Sequence, residues 1–352
     1  MKIGGKIRAW YEKNQRELPW RETRNPYQIW LSEVILQQTR IDQGLGYYHR
    51  FLNAFPDVTA LAAASEDEVL KLWQGLGYYT RARNLHRAAI EIVEEHGGVL
   101  PQTYEGWLKV RGVGKYTASA IASICFGEPK AVVDGNVSRV IARLYGVELA
   151  VNSTEGAREI AFLAEELLHH YDPGTHNQAM MEFGALQCVP RGPDCGACPV
   201  SNHCQAFLTG RVDLLPVKRP KRRPVDRYFY YYIMVHGRET ILSRREEDDI
   251  WRSLYQFPVV ESEVPLSEEE LLGCRVRKML KGVPPSAITI RKVSGEIRHQ
   301  LTHRTIHARF IHIDTGRWPR PLPEGWIPIL IRNLDDFPVP RLINRYMEVV
   351  KF

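Results

Sequence analysis

A chain of 352 residues has room for two or three domains. Its 44% hydrophobic and 25% charged residues are ordinary for a globular protein, and no apolar run reaches the roughly 18 residues of a membrane span. The net charge of +6 is mild, yet from Arg275 to Arg320 eleven Lys or Arg stand against only Glu296 and Asp314. A field of one sign attracts polyanions, although a solvated basic face would look the same. The opening MKIGGKIRAW lacks an apolar signal core, which predicts a cytoplasmic protein.

In chain order, residues 1–206 read as an all-α domain. PYQIWLSEVILQQT, SEDEVLKLWQGLG and REIAFLAEELLHHY carry apolar residues at spacings of three and four, with Ser65 placed as a cap. Within the first of these, Glu33 has Ile29, Trp30 and Leu36 as helical neighbours. A carboxyl on such a face resists ionisation, which suits a general acid. The competing reading is a glutamate whose tip escapes to solvent at the helix edge.

RGVGKYTASA follows the helical YEGWLKV. Gly112 and Gly114 stand too close for a nucleotide P-loop, and Tyr116 occupies the place of its Ser or Thr. Helix, tight turn and helix remain. The N–H groups of Gly112, Val113, Gly114 and Lys115 then offer an anion site suited to a nucleic-acid phosphate, unless the turn is only a connector. Asp134, opening DGNVSRVIARL, is a cap candidate. Paired with Glu33 it also makes two carboxylates in different environments, the set that cleaves glycosidic bonds.

Four of the six cysteines, Cys188, Cys195, Cys198 and Cys204, share the spacing C-x6-C-x2-C-x5-C. They would fill the coordination of a structural zinc ion or an iron–sulfur cluster, and spacing does not decide between the two. The segment PVKRPKRRPVDR, rich in proline and basic residues, reads as part of a linker over 207–227. Beyond it, YFYYYIMV and TIHARFIHID are aromatic and β-branched, and SEEELLGCRVRKML looks helical. Residues 228–352 are therefore expected to form a smaller α+β domain.

Taken together, LPWR, NPYQIWLSEVILQQT, GLGYYTRARNL, RGVGKYTASAIAS, DGNVSRV, NQAMMEFGALQC and the cysteine spacing resemble the adenine DNA glycosylase (MutY) family. That family belongs to the helix-hairpin-helix, endonuclease III-like glycosylases. The second half resembles its Nudix-like recognition domain in DIWRSLYQFP and IRHQLTH, without the hydrolase motif of Nudix enzymes, so no pyrophosphatase activity is expected.

The resemblance implies a monomer that excises adenine opposite 8-oxoguanine or guanine in double-stranded DNA, with no membrane association. It also implies a [4Fe–4S] cluster on the four cysteines. It makes Glu33 the acid that protonates adenine, Asp134 the carboxylate that stabilises the sugar cation, and Asn136 the residue that orients that centre. Trp20, Arg21 and Gln178 would line the adenine pocket. Gln38, Thr39, Leu76 and Tyr78 would grip the duplex around 8-oxoguanine, for Tyr78 in place of a simple core aromatic. Thr302 and His303 would contact that lesion.

Two positions depart from the family pattern. Arg111 replaces a proline, and Leu301-Thr302-His303 replaces Phe-Ser-His, so a hydroxyl is kept and an aromatic is lost. Two other readings compete. A bifunctional endonuclease III-like glycosylase/lyase would need a lysine nucleophile where Tyr116 stands. A non-catalytic DNA-binding protein would leave the Glu33 and Asp134 pair unexplained.

Overall fold

The computed structural model describes residues 2–220, 224–246 and 249–350. The chain divides into two compact units: residues 1–64 with 84–220, and residues 65–83 with 221–352. Part of the expected linker, Lys221–Arg223, lies outside the described residues.

The first unit is helical. Its helices at Ile3–Asn14, Gly135–Tyr145, Thr154–Leu167 and Pro173–Leu186 close on a core of Ile7, Tyr11, Val140, Ile141, Ile160 and Phe183. Caps fix the helix starts as the sequence suggests: Asn25, Asp57, Thr103, Ser153 and Asp172 each accept backbone N–H groups. The helices Tyr104–Lys109 and Lys115–Phe126 form the expected helix-hairpin-helix. Gly112 in the hairpin has φ +76, and a Cβ there would meet Asn84 Cβ at 2.7 Å, so both backbone and packing require glycine.

The second unit is built on a sheet with eight strands among the described residues: β1 (Val225–His236), β2 (Glu239–Arg244), β3 (Tyr255–Gln256), β4 (Val259–Ser262), β5 (Ile288–Val293), β6 (Ile297–Gln300), β7 (Arg304–Thr315) and β8 (Trp326–Leu330). The path runs β3-β2-β1-β7-β5, with β4 on β1, β6 on β7 and β8 on β2. The central pair, β1 and β7, is parallel from Val225 opposite Arg304 to Val235 opposite Asp314. In β1 the residues Phe229 to Met234 are all buried, so both sheet faces are covered and the run shows little alternation. Tyr230, Tyr232 and Met234 pack under Leu271, Val276 and Leu280. The acidic segment there is helical, a π turn over Glu270–Arg275 continuing as an α turn over Val276–Met279.

Two boundaries differ from the sequence reading. Strand β1 begins at Val225, inside the expected linker, because pairing with β7 starts there. The segment Ser65–Arg83, from the helical half of the chain, groups with the sheet. Its helix Glu66–Trp73 is tied to the sheet by Arg244 on Glu66 and Asp67, and by the Tyr255 hydroxyl on Asp67.

Candidate active site

Glu33 sits in the helix Pro26–Leu36, which is buried from Tyr27 to Ile35. With 8% exposure its carboxyl has no solvent edge to reach, which removes the escaping-tip alternative. Burial raises its pKa to about 7. A hydrogen bond with Tyr116 acts the other way, and the nearby Asp134 charge adds to the rise. The Tyr116 phenol is itself held well above its ordinary value by burial and by the charges of Glu33 and Asp134, so it stays a neutral donor.

Asp134 caps the helix Gly135–Tyr145. Its Oδ1 accepts from the Val137 N–H at 2.7 Å and its Oδ2 from Asn136 Nδ2 at 2.9 Å. Burial raises its pKa, while these donors and Arg139 oppose the rise. The cap that the sequence suggested at Asp134 is thus present. Asn136 is fixed in turn, because its Oδ1 accepts from Arg139 Nη2 at 2.9 Å.

Glu33, Tyr116, Asp134 and Asn136 line one cleft of about 480 Å³ within the first unit. Trp20, Arg21, Thr39 and Gln178 line the same cleft. Trp20 is braced edge-on by Tyr48, with centroids 5.2 Å apart. Gln38, exposed with φ +57, is not part of the lining. Lys115 is exposed and also lies outside the lining, one position from Tyr116 inside it.

Arg16 and Glu182, which also line the cleft, escaped sequence reading. Glu182 is buried and receives Arg16 Nη2 at 2.6 Å and Arg21 Nη2 at 2.8 Å. Burial opposes its ionisation, but the hydrogen bonds of Arg16 and Arg21 prevail and hold its carboxyl at about 2. The Tyr11 hydroxyl donates to Gln178 Oε1 at 3.1 Å. The available signal was Glu182 four residues after Gln178 on one helix face.

The hairpin offers anion donors at the start of the helix Lys115–Phe126, where Gly114 is the N-cap and no side chain caps it. Val113 contributes less than expected. Its side chain is buried and its N–H is taken by the Val110 carbonyl at 3.1 Å.

Cys188, Cys195, Cys198 and Cys204 border a single cavity of about 30 Å³. Burial pushes the Cys198 thiol up to about 11, and the other three sulfurs add to that rise. Arg143 pins the loop: Nη1 reaches Cys188 Sγ at 3.4 Å and the Val189 carbonyl at 2.8 Å, and Nη2 the Pro190 carbonyl at 3.1 Å. Four thiols bordering one cavity are a donor set suited to an iron–sulfur cluster. Among the described residues no group of three His, Cys, Asp or Glu is placed to hold a metal ion.

The remaining expected residues lie in the second unit. The Tyr78 hydroxyl is hydrogen-bonded to Thr302 Oγ1. Tyr78 and Thr302 are exposed, as is His303. Leu76 is buried, so its side chain is a packing residue in this conformation. No helix among the described residues is long and apolar enough to cross a membrane.

The chain also resembles known proteins. Residues 31–169 match the HhH-GPD superfamily of base excision DNA repair proteins, and residues 229–349 match the NUDIX domain. The adenine DNA glycosylase of Buchnera aphidicola subsp. Baizongia pistaciae is 30% identical over 311 residues, covering 87% of this chain and 84% of the relative. The adenine DNA glycosylase of Mus musculus is 33% identical, covering 84% of this chain and 67% of the relative. Among solved structures, a thermostable thymine-DNA glycosylase superposes with a TM-score of 0.55 at 29% identity, over 59% of this chain and 95% of that one.

Proposed function

The chain belongs to the adenine DNA glycosylase family of HhH-GPD base excision repair proteins, and we propose that it is a monofunctional enzyme that removes adenine mispaired with 8-oxoguanine or guanine. It is a DNA glycosylase, and its substrate is DNA. The adenine leaves the base stack to enter the cleft. Glu33, still substantially protonated near neutral pH, gives its proton to the departing base. The Tyr116 phenol, hydrogen-bonded to Glu33, steadies the carboxylate left once the proton is given up. Asp134 faces the developing positive charge on the sugar, held in place by Asn136 and the helix N-terminus. Water completes the hydrolysis and leaves an abasic site.

The observation that carries this reading is one cleft holding two buried carboxyls, Glu33 raised by burial to about 7 and Asp134 fixed as a helix cap by donors that oppose the rise burial causes. The position of Tyr116 in that cleft supports monofunctional chemistry, since a phenol forms no Schiff base with the sugar. The four-cysteine cavity supports a [4Fe–4S] cluster as a structural group, because four thiolates leave no open coordination position. We further assign preference for 8-oxoguanine to residues 228–352 together with Tyr78, and take 1–206 as the glycosylase domain, apart from Ser65–Arg83, with 207–227, where β1 already begins at Val225, as the linker.

The test is single-turnover adenine release from a duplex carrying adenine opposite 8-oxoguanine. Glu33→Gln should bind the duplex and release adenine at least about a hundredfold more slowly. Release at the wild-type rate would remove Glu33 as the acid. The product strand should break only after alkali. Cleavage without alkali that Lys115→Ala abolishes would favour the bifunctional reading instead.

A further inference from the structure

Residues 75–78 form a turn with three left-handed positions, Gly75 at φ +103, Gly77 at φ +75 and Tyr78 at φ +49. Left-handed backbone is ordinary for glycine and uncommon for tyrosine. Within the turn the Gly77 carbonyl accepts from Trp73 Nε1 at 3.0 Å and Arg81 Nη2 at 3.1 Å, and the contacts of the flanking residues Gln74 and Tyr79 lead to the far end of the sequence.

Gln74, the C-cap of the helix Glu66–Trp73, donates from Nε2 to Asn344 Oδ1 at 2.6 Å. Asn344 lies on the last helix, Arg341–Val349, and donates from Nδ2 to Glu348 Oε1 at 2.6 Å. That carboxylate also receives Arg341 Nη1 at 3.0 Å. Because a carboxylate can only accept, it takes the donor end of the Asn344 amide and turns the oxygen toward Gln74. The Gln74 amide is thereby oriented as well, and its Oε1 accepts from the Val339 N–H at 3.4 Å. Beyond the turn, the Tyr79 hydroxyl donates to the Val339 carbonyl at 3.3 Å. Both polar groups of Val339 are thus engaged by the residues that flank the turn.

We propose that Gln74 and Asn344 are a positioning pair through which the last helix holds the 75–78 turn, so that Tyr78 meets Thr302 and the base opposite adenine is recognised. The proposal rests on the reading above that Tyr78 and Thr302 contact that base. Neither residue of the pair touches DNA in this scheme. Both act through Tyr78.

The experiment uses the full chain with Asn344→Leu, an apolar side chain of similar size, and Gln74→Leu as the second variant should the first fail to fold. Two quantities are read: backbone hydrogen exchange over 75–79, and the ratio of single-turnover rates for adenine opposite 8-oxoguanine and opposite guanine. Exchange should quicken and the ratio should fall about fivefold, the weight of one hydrogen bond with a stranded partner. The double variant should lose less than the sum of the two single ones, since the two share one contact. A merely structural role would lower the melting temperature and leave the ratio intact.

Tyr78→Phe and Thr302→Ala are measured alongside. Unchanged exchange in the Asn344 and Gln74 variants overturns the pair. If the Tyr78 and Thr302 variants lose the ratio while the pair's variants keep it, the pair's role in recognition fails although the recognition reading stands. If the Tyr78 and Thr302 variants keep the ratio, the recognition reading fails, and the proposal with it, whatever the exchange shows.

Discussion

Glu33 has a cost as well as a use. Its pKa is about 7 in the folded chain against an ordinary 4.5, so the folded state binds its proton more tightly than the unfolded state does. The stability associated with that proton is fully present below about pH 4.5 and is lost as pH rises through about 7. Glu33→Gln stays neutral throughout and escapes the loss. Its stability advantage over the native chain should therefore grow between pH 5 and pH 8, toward about 3 kcal/mol, as read by denaturant unfolding at each pH. Adenine release should decline over the same window, as the acid loses its proton. A variant whose advantage is flat across this range would show that Glu33 is not perturbed. Asp134 permits a cleaner separation of fold and chemistry. Asn is as good a cap as Asp, so Asp134→Asn should unfold like the native chain while losing turnover. Asp134→Ala should lose turnover and about 1 kcal/mol of stability as well. Equal stability of the two variants would mean that the cap contributes nothing.

At the scale of the element, the hairpin contrasts two glycines. Gly112 has φ +76 and is closed in by Asn84, whereas a Cβ on Gly114 would meet open space at an ordinary φ of −97. Gly112→Ala should therefore lower the melting temperature. Gly114→Ala should melt like the native chain and still bind duplex DNA more weakly at every sequence, because a methyl group at the cap obstructs a phosphate. Undiminished DNA affinity in Gly114→Ala would return the hairpin to a plain connector. The Cys188–Cys204 loop depends on Arg143, which reaches three consecutive residues of the chain with one guanidinium. Arg143→Gln should yield protein with less than the roughly four irons per chain that a [4Fe–4S] cluster requires, measured by iron analysis and visible absorption. The hairpin was legible because two glycines punctuate two apolar periodic runs. The Arg143 clamp was not, because an arginine four residues after Arg139 on a helix looks like an exposed charge until the loop is folded over it. Glu33 and Asp134 were legible as a pair, whereas Glu182 with Arg16 and Arg21 was hidden by sequence separations of 166 and 161.

For the whole molecule, what stayed illegible is the ownership of Ser65–Arg83. The periodicity of SEDEVLKLWQGLG announces an amphipathic helix with a capping box at Ser65, and both are present. Periodicity says that one face must be covered, but not by which body. Arg244, Tyr255, Val339 and Asn344, all of the second unit, hydrogen-bond to Glu66, Asp67, Tyr79 and Gln74 of this segment. This changes what a truncation at residue 227 should do. On the sequence boundaries alone it removes a recognition domain and leaves a complete glycosylase domain. In the structure it also strips the partners from Tyr79, which is buried, and from Gln74. The truncated chain should therefore lose preference for 8-oxoguanine over guanine and, separately, become open to proteolysis between residues 65 and 83. Limited trypsin digestion with mass analysis of the fragments reads the second effect, with Lys71, Arg81 and Arg83 as cleavage sites. Apolar surface left without its cover is destabilised locally rather than globally, so cleavage should begin in this segment while the Glu33 cleft still folds. A truncated chain that resists trypsin there would show that the segment belongs to the first unit. One that is cleaved there, yet keeps its preference, would detach recognition from the second unit altogether.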